Sequence, residues 1–183
     1  VAATVTPDTP IDVVSTVLSG TRIRLEWSDE ASDELSFVIE RCTGQGCNSF
    51  ALFDTIGVNV TTFIDSLAVV GTYYQYQMYA YNNVGISGIA GPIAANTVLP
   101  AAASALTSLV ISSTRIDLNW VDGSDNETGF LVERCAGDGC SDFAFLDSLP
   151  SNTTFFSDVT VALGTTYRYR VAPFNNAGTP GFI

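Results

Sequence analysis

Polar and apolar residues alternate along most of this chain, and they nowhere settle into a helical period. Thr21-Arg22-Ile23-Arg24-Leu25-Glu26-Trp27 puts Ile23, Leu25 and Trp27 on one side and polar residues on the other, the mark of a half-buried strand. Residues 114–120 alternate in the same way. Further strands are expected over residues 37–42, 50–53, 61–65 and 73–81, with Gly71 and Gly85 bracketing the last as turn residues. Residues 13–18 supply an edge strand behind Pro7 and Pro10, and residues 92–98 close the set. Seven short strands at this spacing, with no helical segment, describe an all-β, two-sheet sandwich.

The pattern is written twice. Cys42 and Cys47 recur 93 residues later as Cys135 and Cys140, and the same offset carries Trp27 onto Trp120, Glu40-Arg41 onto Glu133-Arg134, Asp65 onto Asp158 and Asn82-Asn83 onto Asn175-Asn176. No gap is needed between residues 1–90 and 94–183, and about four in ten aligned positions are identical. A residue present in both copies is one the fold demands; a residue present in one is free to be surface or function.

At this point the residues carry a resemblance. "RIRLEWSDEASDELSFVIERC" and "RIDLNWVDGSDNETGFLVERC", followed by "TTFIDSLAVVGTYYQYQMYAYNNVGISG" and "NTTFFSDVTVALGTTYRYRVAPFNNAGTPG", resemble fibronectin type III domains of the kind common in bacterial surface and secreted proteins. The resemblance implies two tandem immunoglobulin-like (fibronectin type III) β-sandwiches of about seven strands each. It also implies that Trp27 and Trp120 are core and that Tyr74 and Tyr167 hold the corner position after the Gly-Thr turn. Tyr76, Met78 and Ala80 should continue the inward face, as should Tyr169, Val171 and Pro173. Pro173 departs from the small apolar residue expected there and should disturb the strand, because proline cannot donate to a ladder.

The chain then divides into residues 1–10, the end of a preceding or donated strand plus linker; residues 11–98, the first domain; residues 99–104, a short linker; and residues 105–183, the second domain with its last strand incomplete. The phase matters. Val1, Ala2, Ala3, Thr4 and Val5 align with the last strand of the first repeat, Ala94-Ala95-Asn96-Thr97-Val98, while Ile183 aligns with Ala90. Two explanations stay open: a window cut from a longer array, or a subunit whose residues 1–5 complete the second domain of the next copy. The linker Leu99-Pro100-Ala101-Ala102-Ala103 lacks the Gly/Ser content of a flexible tether.

Composition narrows the function classes. The chain has 183 residues, 46% hydrophobic and 14% charged, which supports a packed core rather than disorder. Its net charge of −12, with seven basic residues, argues against nucleic acid and anionic membranes as partners. No apolar run reaches the roughly 18 residues of a membrane helix, so no membrane insertion is expected. No signal peptide is visible, and the first residue is Val1 rather than Met, so the chain is processed or taken from something longer. Histidine is absent, which removes the commonest catalytic base and metal ligand together. Each repeat offers two cysteines around a Gly-rich loop, too few for a zinc site and not in a C-x-x-C spacing. They read as disulfides Cys42/Cys47 and Cys135/Cys140, with free thiols the alternative; disulfides imply an oxidising compartment.

Candidate chemistry is sparse. Gly85-Ile86-Ser87-Gly88 is not a nucleophile elbow, and Ser87 is not retained in the second copy. The acidic loops around Asp29, Glu30, Asp33 and Glu34, and around Asp122, Asp125 and Glu127, lack the alternating register of a calcium loop and read as turn-capping residues. Asn59, Asn126 and Asn152 head N-x-T triplets that could accept glycan. The outward positions of the longest strand, Tyr73, Tyr79 and Tyr81 among them, make an aromatic stripe that could meet sugar rings or a protein; the second copy replaces it. No Arg-Gly-Asp triplet occurs.

The expectation is therefore a non-catalytic, extracellular or cell-surface structural or adhesive protein. It needs no cofactor and no metal, and its partners are neighbouring copies of itself or further repeats, with a glycan or another surface protein as the additional candidate. The alternative is an accessory carbohydrate- or protein-binding spacer of a secreted polysaccharide-degrading enzyme.

Overall fold

The computed structural model describes residues 5–183, and all thirteen elements in it are strands. The chain divides into two compact units, Val1–Val98 and Leu99–Ile183. Among the described residues, no helix is long and apolar enough to cross a membrane.

In the first unit, β1 (Ile11–Ser19), β2 (Arg22–Ser28) and β5 (Thr62–Asp65) form one sheet in the order β1-β2-β5. β3 (Ser36–Thr43), β4 (Ala51–Gly57), β6 (Tyr73–Tyr81) and β7 (Ala90–Asn96) form the other, in the order β4-β3-β6-β7. All pairings are antiparallel. The period-two alternation does what it predicts: Ile23, Leu25 and Trp27 of β2 are buried against Phe37 and Ile39 of β3 and Tyr74, Tyr76, Met78 and Ala80 of β6. Trp27 meets Phe37 edge-on, ring centroids 5.7 Å apart.

The second unit repeats this plan with β8 (Ser104–Ser112), β9 (Arg115–Val121), β10 (Gly129–Ala136), β11 (Ala144–Pro150), β12 (Phe155–Asp158) and β13 (Tyr167–Phe174). The sheets run β12-β9-β8 and β11-β10-β13. Leu118, Trp120, Phe130, Val132 and Val171 fill its core. β8 begins at Ser104, inside the segment expected to be linker. The outer strands β1 and β8 carry matching bulges, where Asp12 and Ala105 take left-handed φ of 54° and 53°. Bulges of this kind blunt an edge strand against stray pairing.

Pro173 does not disturb its strand. β13 runs through it in register, Pro173 facing Phe130. The reason lies in the first copy. There the amide of Ala80, the equivalent of Pro173, donates to the Ser87 hydroxyl at 3.0 Å rather than to a neighbouring strand. The equivalent of Ser87 is Pro180. The second copy has lost this donor and its hydroxyl acceptor together, so no buried amide is stranded at this position.

Candidate functional site

The residues held in common by the two copies assemble inside each sandwich. Cys42–Cys47 and Cys135–Cys140 are disulfides with Cα atoms 6.0 and 5.9 Å apart. Each closes a loop whose two glycines, Gly44 and Gly46 or Gly137 and Gly139, take positive φ that other residues resist. Asp142 lies beside the second disulfide, but its sulfurs are oxidised and offer no thiolate to a metal.

Arg41 of β3 enters the first sandwich and places Nη1 2.6 Å from Asp65 Oδ2. Tyr76 of β6 donates its hydroxyl to the same oxygen at 2.6 Å, and the amide of Leu67 donates to Oδ1. Asp65 ends β5, which belongs to the opposite sheet, so this cluster ties the two sheets together. The guanidinium also lies over the Phe53 ring at 4.0 Å and the Tyr74 ring at 4.9 Å. Arg134, Asp158 and Tyr169 reproduce the arrangement, with Nη1 to Oδ2 at 2.6 Å and the phenol at 2.8 Å, and Thr160 adds two further bonds to Asp158.

The electrostatics follow from burial and bonding. Burial opposes ionisation of Asp158, but the bonds from Thr160, Tyr169 and Arg134 outweigh it and hold the carboxyl below its usual range. Burial, then the bond to the carboxylate, pushes the Tyr76 and Tyr169 phenols far above their usual value. The sequence marked Arg41 and Asp65 as repeated without assigning them a partner. Their joint recurrence with Tyr76 at one offset is the signal that could have joined them.

Trp27 and Trp120 are buried. Tyr74, 3% exposed, accepts the Val69 amide on its hydroxyl at 2.8 Å, and Tyr167 accepts that of Ala162 at 3.0 Å. Tyr167 is only half-buried. The acidic loops are engaged in turns: Asp29 accepts the amide of Ala31, Asp122 that of Ser124, and Glu34 and Glu127 those of Asn59 and Asn152. Asn59 and Asn152 sit exposed at left-handed turn positions, φ 58° and 59°, and Asn126 is exposed too. Ser87, apart from its bond to Ala80, donates to the Gly88 carbonyl, a turn role.

The tyrosine stripe is less open than its sequence suggests. Tyr73 is 39% exposed, but Tyr79 and Tyr81 are half-buried, facing Val38 and Ser36 across the ladder. Tyr73 borders a shallow groove with the Gly44–Gly46 turn and Ala94. Val1, Ala2, Ala3 and Thr4 of the expected donated strand lie outside the described residues. Val5 is described: it is exposed, outside any strand, and its carbonyl accepts a bond from Asn82 Nδ2 at 2.9 Å.

The two copies differ most at one sheet edge. In the first unit β7 covers the outer side of β6, with Ala94, Ala95 and Asn96 facing Gln75, Tyr74 and Tyr73. In the second, among the described residues, the outer side of β13 meets only Ile183, which exchanges both backbone bonds with Val171 at 3.1 and 3.0 Å. Beyond that pair a groove runs between β8 and β13, floored by Leu106, Leu118, Tyr167 and Tyr169.

The fold of the two sandwiches is that of fibronectin type III-like, immunoglobulin-like domains. No protein-family model matches the chain. Among solved structures, the FN1–FN3 domains of chicken CNTN1 are similar over 97% of this chain, at 16% identity and a TM-score of 0.56; this chain spans 66% of that one's length. A two-domain fibronectin type III segment of chicken tenascin matches over 96% of this chain and 97% of its own, at 16% identity and a TM-score of 0.48.

Proposed function

We propose that this chain is a non-catalytic, extracellular structural or adhesive element, a run of fibronectin type III-like sandwiches that spaces or links other parts of a surface or secreted assembly. The carrying observation is what the copies share. Every repeated polar group described above holds the scaffold: the disulfides, the Arg–Asp–Tyr clusters, the corner tyrosines and the turn-capping acids. Two disulfides in loops this short fit an oxidising compartment. A place on a bacterial surface is part of the same proposal and rests on the sequence resemblance.

The test is labelling of the native protein on intact and permeabilised cells, combined with thiol alkylation before denaturation. The expected result is labelling without permeabilisation and no free thiol. Labelling that requires permeabilisation, with four alkylated cysteines, would overturn the reading.

A second reading, an accessory glycan-binding spacer of a secreted enzyme, draws on one feature: the exposed Tyr73 beside the groove at the disulfide loop. Glycan-array binding lost in Tyr73→Ala would favour it.

A further inference from the structure

We propose that Asn59 and Asn152 carry N-linked glycan, and that Asn126, which heads the third N-x-T triplet, does not. The inference rests on the extracellular reading above, since N-linked glycan belongs to the surface loops of secreted chains.

The two acceptor turns are built alike. Asn59 follows β4 and Asn152 follows β11, each in the turn that carries the chain from one sheet to the other. Each takes a left-handed φ, 58° and 59°. Glu34 accepts the Asn59 amide at 3.2 Å and Glu127 that of Asn152 at 3.0 Å, which fixes the backbone at both sites. The two asparagines are exposed, and their side-chain amides make no hydrogen bond among the described residues.

Asparagine at such a φ has a structural explanation, because its short polar side chain tolerates that region. The threonine two residues on has no such explanation. Thr61 and Thr154 are exposed, and neither hydroxyl bonds to any described residue. The work they share is done by the backbone: the Thr61 carbonyl accepts the Trp27 amide and the Thr154 carbonyl that of Trp120, both at 3.1 Å. A backbone carbonyl requires no hydroxyl beside it. Transfer of sugar to asparagine does require one, two residues further along. The hydroxyl is kept in both copies while the residue between changes from Val60 to Thr153, and that is the observation that carries the proposal.

The third triplet is tied into its loop at every residue. Asn126 Oδ1 accepts the Ser124 hydroxyl at 2.9 Å, and the Asn126 carbonyl accepts Asn175 Nδ2 at 3.2 Å. Glu127 is buried, with its carboxylate on the Asn152 amide. Thr128 donates both its amide and its hydroxyl to the Phe174 carbonyl, at 2.7 and 3.1 Å. A transferase that takes the asparagine amide and the threonine hydroxyl together would have to break these bonds. In the first copy Asp33 stands where Asn126 does, and it accepts a bond from Asn82, the equivalent of Asn175, at 3.2 Å, so a loop role accounts for Asn126.

The transfer itself is a substitution at a sugar carbon. Nδ2 of the asparagine bonds to the anomeric carbon of a lipid-phosphate-linked oligosaccharide. The bond from that carbon to the phosphate oxygen breaks, and the lipid phosphate leaves with the electron pair. The amide gives up one proton to the transferase. No oxidant or reductant takes part, and this chain supplies only the acceptor.

Peptide mass spectrometry of the native protein tests this. The chain has no lysine, so trypsin cuts only after arginine, and the three asparagines fall in separate peptides, 42–115, 116–134 and 135–168. After reduction, 42–115 and 135–168 should carry sugar on Asn59 and Asn152, and 116–134 should be bare. Thr61→Val and Thr154→Val, made in the native cells, should each lose the sugar at their own site, and Thr61→Ser should keep it. The same variants made without the transferase should keep the urea midpoint of the parent, because the hydroxyls bear no structural bond.

Bare peptides 42–115 and 135–168, sugar on only one of that pair, or sugar on 116–134 would each overturn the proposal. A lowered urea midpoint in unglycosylated Thr61→Val would overturn it too, by giving the hydroxyl a scaffold role. Bare peptides from a protein that labels on intact cells with its cysteines bridged would strike this proposal and leave the extracellular reading standing, so the two fall separately.

Discussion

Arg41 and Asp65 meet at 2.6 Å across the two sheets of the first sandwich, and the carboxylate has no exposure to solvent. Arg134 and Asp158 repeat the contact at the same distance in the second. A charge pair in this setting is maintained because each member needs the other. Its removal in part is far worse than its removal in whole.

Arg41→Ala should therefore cost about 3 kcal/mol, since it leaves a buried carboxylate facing only Tyr76 and an amide. Urea unfolding followed on Trp27 in a Trp120→Phe background measures the loss. Asp65→Asn, which keeps a hydrogen-bond acceptor for Tyr76, should cost less than Asp65→Ala.

Acid should weaken the second sandwich through Asp158. Its folded carboxyl titrates below the unfolded value, so the stability it contributes is fully present above about pH 4 and is lost as the pH falls below that. The urea midpoint followed on Trp120 in a Trp27→Phe background should drop over that window. Asp158→Asn should remove that part of the dependence.

Alkali acts on the phenols with the opposite sign. Tyr76 and Tyr169 are raised above the usual value, so their contribution holds at neutral pH and is lost as the pH climbs past about 10. Absorbance at ultraviolet wavelengths sensitive to tyrosinate should show these two of the seven tyrosines ionising last, together with unfolding.

Ser87→Ala should destabilise the first sandwich by about 1–2 kcal/mol by stranding the buried Ala80 amide. Adding Ala80→Pro should recover part of that loss, because it removes the stranded amide, as Pro173 does in the second copy. A double-mutant cycle in urea reads the coupling.

Reduction of the disulfides should cost about 2 kcal/mol per bridge on the loop-entropy argument, because each loop is short. The folded sandwiches should survive it, with the unfolding midpoint lowered. Paired Cys42→Ser and Cys47→Ser substitutions isolate the first bridge.

Much of this molecule was legible before folding. Period-two alternation over Ile23, Leu25 and Trp27 determines which face is buried, because a strand turns successive side chains to opposite sides whatever surrounds it. The 93-residue offset determined that there are two equivalent copies and that their shared residues serve the scaffold. Cysteine spacing pointed to the bridges, since partners so close along the chain meet through local geometry alone.

What the tertiary structure decided were relationships between segments distant in sequence. That Arg41, Asp65 and Tyr76 meet depends on how β3, β5 and β6 face each other across two sheets. That Pro173 is harmless depends on where the amide of Ala80 points, which no local pattern records. The tyrosine stripe looked open because alternation reports only the side of the sheet, not what covers it; Tyr79 and Tyr81 are half-buried while Tyr73 remains exposed. The same limit explains the groove along β13. Tyr167 and Tyr169 read as core by every sequence rule, and only the absence of a paired strand among the described residues leaves them half-exposed.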